Sequence, residues 1–128
     1  MSGRKLLKLA FYVGGVVATT AGLHTVLMGS KSLPGRQRLD AVVESELRFY
    51  AAFYVAYGGL LLHIAPRADQ DSTAVRGLAG ALFLAGLART GAWFAVGRPD
   101  RKQVGLLMLE LGLPPIVVVA QKQLADSP

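Results

Sequence analysis

The sequence predicts an all-α integral membrane protein, a four-helix up-down bundle, on three observations. Four apolar runs are each long enough to cross a bilayer, and only 17% of the 128 residues are charged. Most of the cations gather between those runs or near their ends. Soluble domains carry about a quarter charged residues. A hydrophobic fraction of 52% and a mean hydropathy of +0.42 therefore favour lipid as the solvent. No stretch shows the polar and apolar alternation that the strands of a membrane barrel need.

The first run, 6–28, is interrupted only by Lys8. About 20 apolar residues suffice for a hydrocarbon core of roughly 30 Å. Arg4, Lys5 and Lys8 resemble the charged start of a signal peptide, but the run exceeds an h-region of about 7 to 15 residues, so an uncleaved helix is expected. Gly, Ser and Pro in 29–35 supply turn chemistry. The second run covers 44–64, and Pro66 closes it. Ser72 is expected to cap a third helix over 75–96. Gly97, Arg98, Pro99 and Asp100 form the last turn, and 103–121 makes a fourth span near the minimum crossing length. Short links give one four-span domain over 1–128 with both termini on one side.

Which side is close to undetermined by charge. Arg4, Lys5, Lys8, Arg67, Arg76 and Lys122 face one way, and Lys31, Arg36, Arg38, Arg98, Arg101 and Lys102 the other. The first helix commonly sets orientation, which places the termini in the cytoplasm. These cations flank apolar runs, where they meet lipid head groups. They form no single basic face, so the net charge of +6 does not indicate nucleic acid as a partner. The absence of cysteine excludes thiol chemistry and disulfides.

Small residues recur at four-residue spacing at Gly14, Ala18 and Gly22 on the first helix and at Gly77, Ala81 and Ala85 on the third. Such stripes let helices approach closely in lipid, within the chain or across a homodimer seam. Shifting the chain by 64 positions aligns nine identities, among them Ala21–Gly22–Leu23 with Ala85–Gly86–Leu87 and Glu46–Leu47 with Glu110–Leu111. Composition alone gives about five, and the excess suggests two duplicated helical hairpins.

Arg89 and Glu110 fall inside apolar spans, where an ionised side chain costs about 2.5 to 3.5 kcal/mol on the most lenient scale. Arg89 precedes the end of its span by seven residues and Glu110 follows the start of its span by seven. At 1.5 Å per residue both lie about 10 Å below the same surface, and pairing is expected. His24, Glu44, Glu46 and Arg48 belong to the same leaflet. Pro114 removes the hydrogen bond to the carbonyl of Glu110, and Pro115 the one to Leu111.

Tyr50, Phe53, Tyr54 and Tyr57 follow helical spacing below Glu46, as a pocket wall or as core. Trp93 and His63 suit interfacial positions. The candidate ligand-binding set is therefore His24, Glu46, Arg48, Tyr50, Tyr54, Tyr57, Arg89 and Glu110. The bland alternative is a charge pair that ties two helices together, with acids favoured at a helix start by the dipole. No phosphate loop, dinucleotide fingerprint, nucleophile elbow or paired-histidine zinc motif occurs, and two histidines make no metal set. No cofactor is expected, and any chemistry would be acid–base work by His24, Glu46 or Glu110.

The segments AGLHTVLMGSKSLPG, ESELRFYAAFYVAYGGLLL, AGLARTGAW and LELGLPP together resemble a bacterial family known as domain of unknown function 4345. The likeness covers nearly the whole chain. It implies a small four-helix protein of the bacterial cytoplasmic membrane and carries over the stretch from Glu46 through Arg48 to Tyr57, then Arg89 and Glu110, as matching positions. No activity comes with it. Membrane lipids are the expected partners, with a homodimer or another membrane protein as further possibilities. Binding of a lipid or other apolar ligand leads the functional readings, ahead of a small transporter or an accessory subunit of a membrane complex.

Overall fold

The computed structural model describes residues 2–32, 40–97, 99 and 101–126. It is all-α, with helices α1 (Gly3–Met28), α2 (Ala41–Ile64), α3 (Ser72–Val96) and α4 (Arg101–Ala125), and no strand occurs among the described residues. All four helices, two of them extended by the 3-10 turns Gly29–Ser32 and Ala65–Arg67, are long and apolar enough to cross a membrane. Their outward faces are apolar, with Phe94 and Val96 each 87% exposed. Buried Glu110 and Gln121 lie on the inward face of α4. That inversion of the soluble pattern suits a lipid surround. Arg36, Arg38, Arg98 and Asp100 lie outside the described residues.

The chain divides into two compact units, residues 9–66 and residues 1–8 with 67–128. In the first, α1 and α2 cross at glycine. A Cβ on Gly58 would stand 2.6 Å from the Thr19 nitrogen and 2.8 Å from the Gly15 carbonyl oxygen. One on Gly22 would meet the Val55 nitrogen at 2.8 Å. Backbones in such contact admit no side chain, which is how small residues hold helices together in lipid. Of the expected stripe on α1, Ala18 and Gly22 are buried, and Gly15 rather than Gly14 forms the close approach.

The α1–α2 link is closed by polar contacts. Gly29 takes φ +59°, a left-handed conformation that suits glycine. The Ser30 N–H donates to both carboxylate oxygens of Glu44, at 3.1 and 3.2 Å. Arg48 donates to the same carboxylate and, through Nη1, to the Val26 carbonyl at 3.3 Å. α2 starts a turn earlier than expected because Asp40 caps it, accepting from the Val43 N–H at 2.9 Å.

In the other unit α3 and α4 pack as a hairpin along Val75, Ala79 and Gly86 on one side and Leu107, Glu110, Pro114 and Gln121 on the other. A Cβ on Gly86 would come within 2.8 Å of a Leu111 methyl and 3.1 Å of the Glu110 Cβ. Gly22 and Gly86, equivalent under the 64-residue shift, thus both sit at a helix crossing in their own unit. The stripe expected at Gly77, Ala81 and Ala85 is not the packing face: Gly77 has nothing within 4 Å and the two alanines are exposed. Packing follows the buried residues Val75, Ala79 and Gly86 instead. Ser72 is likewise not the cap. Asp71 caps α3 through the Ala74 N–H, and the Ser72 hydroxyl accepts from Gln121 Nε2 at 2.9 Å.

Candidate functional site

The expected pair forms. Arg89 on α3 donates through Nε to both oxygens of Glu110 on α4, at 2.9 and 3.0 Å, and its Nη1 donates to Gln103 Oε1. The Glu110 side chain is 2% exposed and that of Arg89 is 34% exposed. The pair is therefore buried at the acid and open at the base. Among the described residues no hydrogen bond engages Nη2 of Arg89. Position follows from helix geometry: Gln103, Leu107 and Glu110 repeat at four and three residues, so they share the face of α4 turned to α3.

A half-open cavity of about 270 Å³ is lined in part by Arg89. Its walls are Ala92, Trp93, Val96 and Leu107, with Gly97 and Pro99 at the turn and Arg89 and Gln103 as the polar groups. A concave, mainly apolar wall with few convergent donors is the usual form of a small-molecule site. Trp93, expected as an interfacial anchor, is half-buried and lines this cavity. Gln103, expected only as the start of a span, is a partner of Arg89. Its spacing of two helical turns before Glu110 was the available signal.

The remaining expected site residues lie in the α1–α2 unit. His24, Glu46, Arg48 and Tyr50 are exposed, and Tyr54 and Tyr57 are half-buried with ring centroids 6.4 Å apart. Arg48 is engaged by Glu44 and the Val26 carbonyl, so it closes the turn of its own hairpin. Tyr50 packs edge-on against Phe49, whose other neighbour is Phe53, on an exposed face of α2.

A second polar cluster, which the apolar runs do not signal, lies at the α2–α3 turn. Asp69, 3% exposed in the α2–α3 turn, accepts from Arg4 Nη1 at 3.0 Å and lies 3.7 Å from Lys8 Nζ. Arg4 Nη2 also donates to the Leu124 carbonyl at 2.7 Å, joining the N-terminus, the turn and the end of α4 within one unit. Burial raises the Asp69 carboxyl. The Arg4 hydrogen bond and the charges of Lys8 and Arg4 outweigh it, and the group stays below its ordinary range. Among the described residues no group of three potential metal ligands occurs.

Residues 6–121 match the family described as Domain of unknown function (DUF4345). No curated protein and no solved structure matches the chain.

Proposed function

Because the chain belongs to the DUF4345 family, whose description assigns no activity, we propose its role from the chemistry of its own site: a small multi-pass membrane protein that binds a lipid or other apolar ligand at Arg89. One observation carries the reading. Arg89 is oriented by Glu110 and Gln103, keeps an Nη2 that no hydrogen bond engages among the described residues, and lines a mainly apolar cavity of about 270 Å³. A tie between two helices needs the buried pair alone, with no cavity in front of it. Preorganised donors favour binding because little rotamer freedom remains to be lost. His24, Glu46, Arg48, Tyr50, Tyr54 and Tyr57 are a separate proposed ligand-binding set within residues 9–66, and the partner lipids are those of the host membrane.

Mass spectrometry of the chain extracted with its native lipids tests the reading. One lipid or apolar class should co-purify above its membrane abundance. It should be lost from the double variant Arg89→Leu/Glu110→Leu, which removes the site without stranding a buried charge. Bulk lipid in bulk proportions for both proteins would refute it. Proton-dependent flux in liposomes that vanishes with Glu110→Gln would favour a small transporter. A stoichiometric protein partner without enriched lipid would favour an accessory subunit.

A further inference from the structure

We propose that the head group taken at Arg89 is an uncharged hydrogen-bond acceptor, the carbonyl of an ester or ketone on an apolar molecule, and not an anion. The proposal rests on the ligand-binding reading and narrows it. The charge of Arg89 is already balanced, because both Glu110 oxygens lie 2.9 and 3.0 Å from Nε and the carboxylate is 2% exposed. An anion on Nη2 would bring three charges to a sum of −1 beside walls of Ala92, Trp93, Val96 and Leu107. Arg89 sits seven residues before the end of α3, about 10 Å along the axis. An uncompensated ion at such depth is costly.

A carbonyl oxygen has no such cost. It accepts a charge-assisted hydrogen bond from Nη2 and leaves the sum at zero. The remaining charges described on α3 and α4 are Arg76 and Lys122 near the far ends of their helices and Arg101 and Lys102 in the exposed first turn of α4. None of them faces Glu110, and water and salt screen the exposed pair. The cavity of about 270 Å³ accommodates a head group and the first part of a chain.

Trp93 is the only tryptophan of the chain and lines the cavity, so its fluorescence reports occupancy. The full chain is placed in nanodiscs of ether-linked zwitterionic lipid, which offers no ester carbonyl. Brominated twelve-carbon chains are then titrated as methyl ester, methyl ketone and permanently ionised sulfonate. The ester and ketone are expected to quench Trp93 saturably at about tenfold lower membrane concentration than the sulfonate. Glu110→Gln, which leaves Arg89 an unbalanced cation, should invert that order. A sulfonate that binds the wild type as well as or better than the ester overturns the proposal and leaves the ligand reading standing. Absence of saturable quenching by all three, unchanged in Arg89→Leu, overturns the ligand reading itself. With binding established, repetition in ester-linked lipid identifies the source: weaker ester binding marks bulk-lipid carbonyls as occupants, and unchanged binding marks a free apolar molecule.

Discussion

Arg89 is held at Nε by Glu110 and at Nη1 by Gln103, which balances its charge, leaves Nη2 unengaged among the described residues and places the side chain in the cavity wall. Removing either member of the pair should cost about 2 kcal/mol, because a buried charge loses its partner in a site open on one side. Exchange of the two, Arg89→Glu with Glu110→Arg, should recover part of that loss in detergent thermal melts. Additive losses without recovery would mean the two groups act independently. Asp69 supplies a separate, pH-dependent contribution. Its carboxyl is held below the ordinary range when folded, so its stabilisation is present above about pH 4 and is lost as pH falls through the folded value. Asp69→Asn should lower the neutral-pH melting temperature, by about 1 kcal/mol equivalent, and flatten the acid limb of the stability profile. An unchanged acid limb would show that Arg4 and Lys8 do not hold it.

At the scale of the helices, the four spans were legible because length, apolar content and flanking cations are properties of each segment alone. The boundaries moved by about a turn because Asp40 and Asp71 cap α2 and α3, and a polar residue outside an apolar run carries no hydropathy signal. The Arg89–Glu110 pair was legible from depth arithmetic. The packing phase was not, since Gly77, Ala81 and Ala85 form as good a small-residue stripe as the one that packs. Only the partner helix decides between them. The role of Arg48 was hidden for a similar reason: its carbonyl acceptor belongs to α1 and appears only when the hairpin closes.

Paired glycine substitutions read this phase directly. Gly22→Ala should destabilise by about 1 to 3 kcal/mol, because the added methyl meets the Val55 nitrogen and Ala51 oxygen of α2. Gly77→Ala should be neutral or stabilising by up to about 1 kcal/mol, since nothing lies within 4 Å and alanine favours the helix. Equal losses at both positions would place the open stripe of α3 in a contact of its own.

For the whole molecule, the role of Arg89 depends on the helices lying in a bilayer, where a buried acid needs a bonded base and an apolar outer face needs no cover. Four candidate spans in sequence require successive links to fall on alternate sides. The chain contains no cysteine, so single cysteines at Lys31, Gln70, Pro99 and Gln123 can be labelled by an impermeant maleimide without background. Labelling from outside intact cells should mark positions 31 and 99 together, or 70 and 123 together, and opening the membrane should expose the other two. Two consecutive positions labelled from the same side would contradict the four-span membrane protein that places Arg89 within the bilayer.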